Sequence, residues 1–396
     1  MKNYSIIFVS LTALCISACN GGSSSSSSNN ALAYNQTPIV VDHGVNESAL
    51  PNRPFVTVTL CVPGTTTCQT IDHVLLDTGS DGLRVPASVL KNAAMYPQLT
   101  LDNQPLYTCA NYAAGYDFGS MNLTDVVWGG ETAKSVPFQI IDDSQPQVGI
   151  PASCDATGSY FDFIAAGQNA IIGVRNSVYD ADTNYTCVNG TCTPVTNLPE
   201  SMLIGTPVIR MPVDNNGVLL QFPNVPANGA TSFTGTLTFG INTQSNNTVT
   251  SNVNLLYTRD SLFNASYNNT NYQGTFDSGT PFIIFSDNTL PVCTGEFEGF
   301  YCPSSPMQIN AVFTSYDGRN QVNSSYPLAN PTIYWGNAIA GNTLLPYAGA
   351  PCAGCESFAD SIFLWGLPYF YGKTIYSIFP GAMINNESAP ALGFSS

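Results

Sequence analysis

The triplet Asp-Ser/Thr-Gly occurs twice in this chain, two hundred residues apart, each time at the end of an apolar run. The first copy is Val74-Leu75-Leu76-Asp77-Thr78-Gly79-Ser80. The second is Thr275-Phe276-Asp277-Ser278-Gly279-Thr280, which runs on into Pro281-Phe282-Ile283-Ile284-Phe285. Each segment reads strand, tight glycine-containing turn, strand. A chain of this composition contains about 0.3 such triplets by chance, so one copy constrains little. Two copies in matching contexts, one per half of the chain, constrain it considerably more.

The rest of the sequence narrows what that pair can serve. Only 9% of the 396 residues are charged, against about 25% in an average soluble domain. Ten Lys+Arg against 26 Asp+Glu give a net charge of −16. That balance argues against nucleic acid, which needs a basic footprint, and against polybasic docking on anionic lipid. The histidines are His43 and His73 alone. A His-rich zinc site is therefore nearly excluded, and a Ser-His-Asp triad would have to recruit one of the two. His73 lies four residues before Asp77, too far along a strand for contact, and reads as a packed or hydrogen-bonded side chain. Asp214-Asn215-Asn216-Gly217 reads as a hairpin turn.

The chain opens with MKNYSIIFVSLTALCISACN. A positive start and an apolar run too short to span a bilayer read as a signal peptide over residues 1–18. Ile16-Ser17-Ala18-Cys19 resembles a bacterial lipobox, which makes Cys19 the expected lipidation site. A Ser/Asn-rich tether over 19–35 follows. Asn20 after the Cys points, by the enterobacterial sorting pattern, to the outer membrane of the cell envelope. About 360 residues remain to fold, more than one core usually organises. We expect an N-terminal lobe over 36–207 and a C-terminal lobe over 208–396.

Beyond Cys15 and Cys19, ten cysteines remain, and an exported chain favours disulfides. Local pairs suit 61–68, 187–192, 293–302 and 352–355, which leaves 109–154; spacing alone does not decide the connectivity. Cys352-Ala353-Gly354-Cys355 is a C-x-x-C, but no βαβ unit surrounds it, so a structural bridge is expected ahead of redox chemistry. No second Cys or His pair suggests zinc.

The two Asp turns and their surroundings resemble the pepsin-like aspartic peptidases. Phe55 to Leu60 resembles the first hairpin strand of that family, and Gly82-Leu83-Arg84-Val85-Pro86 its short strand ending in Val-Pro. Ile171-Ile172-Gly173 and Leu364-Trp365-Gly366 resemble the segments that thread beneath each catalytic loop. Gly235 to Gly240 resembles the strand after the lobe junction, and Ala391-Leu392-Gly393-Phe394 the terminus. The matches keep family order from about Pro54 to Ser396. The whole also resembles a family of bacterial lipoproteins within that superfamily. The implied fold is all-β and bilobal, with a cleft between two barrel-like lobes.

The resemblance implies an endopeptidase in which Asp77 and Asp277 share a proton and activate water. Two carboxyls about 3 Å apart cannot both ionise, which is why the chemistry needs a pair. By the family pattern Thr78 and Ser278 bond across the lobe interface. Ser80 and Thr280 serve the outer carboxylate oxygens, and Gly79 and Gly279 allow close approach. Tyr112 is the match to the flap tyrosine, with Tyr116 the alternative. No cofactor or metal is implied. The implied partners are a peptide or protein substrate and, through Cys19, membrane lipid; the chain is expected to be a monomer.

Two departures stand out. Ser278 replaces the commoner Thr, and Arg84 stands where the family usually has Trp, three residues after Asp81. That charged pair either alters the dyad and cleft or is a surface ion pair worth little. The competing function is a catalytically inactive pepsin-like binding or inhibitor lipoprotein of the envelope.

Overall fold

The computed structural model describes residues 32–47, 50–112, 115–143, 149–154, 160–334, 344–352 and 362–396. The signal peptide, Cys19 and Cys355 lie outside them. Residues Leu32–Ser396 form one compact unit. Among the described residues no helix is long and apolar enough to cross a membrane.

The strand Cys68–Asp77 is buried along its last four positions, and so are all of Asp81–Pro86 and Ala170–Val174. Strands buried at every position sit inside a sheet covered on both faces. In the N-terminal half they do. Cys68–Asp77 pairs with Pro54–Cys61 on one side and, in parallel, with Ala170–Val174 on the other. The sheet continues through Asp81–Pro86, Glu131–Ile141 and Gly115–Trp128. Gly115–Trp128 returns to pair with Pro54–Cys61 and closes the barrel. Val58, Leu60, Val74, Leu76, Leu83, Val85, Trp128 and Phe138 belong to one buried cluster. Asp77 is thus carried on the end of a strand locked by neighbours on both edges.

The C-terminal half repeats this arrangement on a seven-stranded sheet. Thr270–Asp277 pairs in parallel with Ile362–Gly366, which is flanked on its other edge by Ile283–Ile284. Gln321–Leu328 and Met307–Thr314 largely alternate between buried and outward positions, as antiparallel strands with one wet face do. The core here is aromatic: Phe363 stacks on Trp365 at 4.2 Å and on Phe285 at 4.6 Å.

The halves share a sheet. Gln36–Val41 pairs along its length with Phe233–Phe239 and, through Val40 and Val41, with Pro54–Cys61. Gly217–Gln221, Thr374–Ile378, Ala391–Ser395 and Asn254–Tyr257 extend it. The expected boundary near residue 207 falls on a short 3-10 turn, Pro207–Arg210, inside this continuous structure. Asp214 does not make the hairpin its sequence suggested. It sits at φ 51° in the bend leading to Gly217–Gln221, and its carboxylate accepts from Thr243 and Gln244. Among the described residues the disulfides 61–68, 109–154, 187–192 and 293–302 are formed, and the expected 352–355 pair reaches outside them through Cys355.

Candidate active site

The two Asp turns meet across the halves. Thr78 Oγ1 donates to the Phe276 carbonyl at 2.7 Å and accepts from the Ser278 amide at 2.9 Å. Ser278 Oγ does the reverse, donating to the Leu76 carbonyl at 2.7 Å and accepting from the Thr78 amide at 3.0 Å. Both side chains are buried. Each hydroxyl therefore satisfies one donor and one acceptor of the opposite turn, and Ser278 performs this without the methyl of Thr.

The glycines set the approach. A Cβ on Gly79 would lie 2.5 Å from Asp277 Cγ, and one on Gly279 would lie 2.6 Å from Asp77 Oδ1. Any side chain at either position would hold the carboxyls apart. Asp77 Oδ1 accepts from the Gly79 amide at 2.7 Å and the Gly279 amide at 3.2 Å, and Oδ2 from the Ser80 hydroxyl at 2.5 Å. Asp277 Oδ1 accepts from the Thr280 amide at 3.0 Å, and Oδ2 from the Thr280 hydroxyl at 2.7 Å. Asp277 keeps some exposed area, yet protein crowds its carboxyl. Burial first, then the Asp77 charge, push it up to about 7 against the Thr280 hydrogen bonds. The two carboxyls are within hydrogen-bonding range of each other, so a proton can be shared between them.

Gln104–Tyr112 and Gly115–Trp128 form a hairpin that pairs Tyr112 with Gly115 at its end. Tyr112 packs against Phe161 and Phe163. Its hydroxyl is buried and lies in electrostatic reach of Asp77. Burial holds that hydroxyl well above its ordinary value. Tyr116 belongs to the other face, in the cluster with Phe118, Tyr185 and the Cys109–Cys154 bridge. The structure thus brings Asp77, Asp277, Thr78, Gly79, Ser80, Ser278, Gly279 and Thr280 together, with Tyr112 on the hairpin beside them. Among the described residues no group of three or more His, Cys, Asp or Glu could hold a metal ion.

A family described as a protein of unknown function, DUF3443, matches residues 31–394. The chain belongs to that family. Comparison with curated proteins gave no match. Among solved structures, the crystal structure of aspartic proteinase from Irpex lacteus is similar with a TM-score of 0.53 at 15% identity. The similarity covers 91% of this chain and 96% of that one. At such identity the likeness speaks for the fold: this DUF3443 chain is all-β with the pepsin-like bilobal architecture.

At Arg84 the DUF3443 chain removes one of the two alternatives left open by the sequence. The residue is not part of a surface pair with Asp81. Arg84 is 2% exposed and binds Gln139 at 2.7 Å, and Asp180 and Asp182 at 2.6 Å each. Asp81 pairs instead with Arg175 at 3.0 Å. Buried Asp117, on the hairpin strand, adds a carboxylate whose oxygens have no hydrogen-bond partner among the described residues. Burial pushes Asp81 up to about 6 and Asp182 up to about 7, and Asp117 well above its ordinary value. The sequence reading missed Asp117, Asp180 and Asp182, because nothing local to them marks a shared cluster. It also missed Asn52 and Arg53, which lie beside the dyad. A scarce cation directly before the Phe55 strand was the one available signal.

Proposed function

We propose that the protein is an aspartic endopeptidase, with Asp77 and Asp277 as its catalytic pair. The observation that carries this reading is the reciprocal closure of the two turns, which leaves two carboxyls in proton-sharing range on opposite halves of one chain. In that state the ionised carboxyl takes a proton from water, and the water oxygen bonds to the peptide carbonyl carbon. The protonated carboxyl gives its proton to the carbonyl oxygen, so no unbalanced oxyanion forms. Collapse of the tetrahedral adduct returns a proton to the leaving nitrogen as the C–N bond breaks. Substrate would lie extended in the cleft beneath the Tyr112 hairpin.

The pH dependence follows from the pair. Above about 7, the value to which Asp277 is pushed, the shared proton is lost and the donor with it, so activity is present in acid and falls as pH rises through that point. The test is cleavage of a diverse peptide library by the full chain between about pH 3 and 8, with Asp77→Asn and Asp277→Asn as comparisons. Cleavage by the parent alone supports the reading. Silence of all three folded proteins favours the inactive binding protein instead.

Attachment to a membrane through acylated Cys19 belongs to the same proposal and rests on the leader sequence. Fatty-acid labelling that persists in Cys19→Ser would remove it.

A further inference from the structure

Arg53 is one of only ten cations in a chain of net charge −16, and it is 6% exposed. It directly precedes the Pro54–Cys61 strand, in which Phe55 lies opposite Leu75. That antiparallel register, if carried two residues past the Phe55–Leu75 pair, would bring Arg53 level with Asp77. Its neighbour Asn52 ties this point to the other half. The Asn52 amide donates to the Pro281 carbonyl at 2.8 Å and the Leu345 carbonyl at 3.0 Å. Its oxygen accepts from the Leu345 amide at 2.8 Å and the Tyr371 hydroxyl at 2.5 Å. Pro281 follows the Asp277 turn at once, so the Asn52-Arg53 segment is anchored beside that turn.

The guanidinium donates from Nη2 to Gln168 Oε1, while its Nε is buried with no partner among the described residues. No described carboxylate forms an ion pair with it. A guanidinium does not shed its proton in a protein, so a buried one needs a counter-charge nearby. Burial lowers Arg53 to about 10, and the charges that oppose this are Asp77 and then Asp277. Other titratable groups facing the region are Tyr112 on the hairpin and Tyr371, which holds Asn52. Arg84 and Arg175 already hold carboxylates of their own.

We propose that Arg53 is a positioning residue for the dyad: its buried guanidinium is the standing counter-charge of the Asp77–Asp277 pair and keeps one negative charge on that pair in acid. This deepens the peptidase reading, since it takes the two carboxyls as one proton-sharing unit. The ionised member is the one that must accept the proton of water. A fixed cation therefore extends the acid side of the working range, and removing it raises both titration midpoints.

The test reads the carboxyls directly. Full chain with 13C-labelled Asp carboxyls is titrated by NMR between about pH 2 and 8, with signals assigned through Asp77→Asn and Asp277→Asn. In Arg53→Met both dyad midpoints are expected to rise by about one unit or more. Arg53→Lys, which keeps the charge, should move them far less. In the unmutated protein the Arg53 Nε–H resonance should shift at the dyad midpoints, which is readable even if Arg53→Met fails to fold. Unchanged midpoints in folded Arg53→Met, an equal rise in Arg53→Lys, or a flat Nε–H resonance would each overturn the proposal. A protein that cleaves no peptide bears on the peptidase reading and leaves these titrations intact.

Discussion

The hydroxyl of Thr78 meets two backbone groups of the opposite turn, and no water can replace it where it is buried. Thr78→Val keeps the shape and removes both bonds, leaving the Ser278 amide and the Phe276 carbonyl without their partner. Stranding buried backbone groups costs about 1–3 kcal/mol each. We expect Thr78→Val to lose about 2–4 kcal/mol in denaturant unfolding. Ser278→Ala should do the same from the other side, because Ser278 mirrors the pattern on Leu76 and Thr78. The two changes should be less than additive, since either one already loosens the same junction. A loss below about 1 kcal/mol for each would show that the turns are held by their flanking strands. Ser80 is a useful contrast: it is only half-buried and bonds a carboxylate in its own turn, so its removal should change the dyad more than the fold.

At the scale of elements, what was legible was what is local. Val74 to Ser80 and Thr275 to Phe285 contain their whole message within about ten residues: apolar run, Asp, hydroxyl, glycine, strand. The threading segments were legible too, since Ile172-Gly173 and Trp365-Gly366 pair beside Leu76-Asp77 and Phe276-Asp277. His73 shows a limit of strict alternation. It sits at φ 48° where the pairing of Pro54–Cys61 with Cys68–Asp77 slips register, and it bonds Asp72 and lies 3.4 Å from Asp42. A bulge of this kind leaves no mark in a two-residue period. The union of Gln36–Val41 with Phe233–Phe239 was illegible for a different reason. Its register depends on contacts across about two hundred residues, and the sequence of either strand suits many partners. The same holds for Arg84, whose partners Asp180 and Asp182 come from a loop almost a hundred residues away.

Over the whole molecule, these buried carboxyls decide how stability responds to pH. Asp81 is pushed up to about 6, and Asp182 and Asp277 up to about 7, in each case first by burial. Asp180 and Asp117 move upward as well. A carboxyl with a raised folded-state value favours the folded chain while protonated. Its contribution is complete below the unfolded value near 4 and is lost as pH rises through the folded value. Asp125, Asp287 and Asp317, held low by hydrogen bonds, act in the opposite sense and only in stronger acid. The net charge of −16 adds repulsion in the same direction as the raised group. The melting temperature should therefore be higher near pH 5 than near pH 8, with the loss spread between the unfolded value near 4 and the folded values of about 6 to 7. Each proton that the folded state alone retains steepens that fall by about 1.4 kcal/mol per pH unit. Asp277→Asn removes one such group without removing volume, so its thermal melts should depend less steeply on pH than those of the parent. A parent whose melting temperature is flat or rises from pH 5 to 8 would mean that these carboxyls are solvated or charge-compensated in the folded chain. The proton shared by Asp77 and Asp277 would then have no reason to persist to neutral pH. On the peptidase reading the same buried proton serves catalysis, so the pH at which the fall in stability levels off should mark the upper edge of activity.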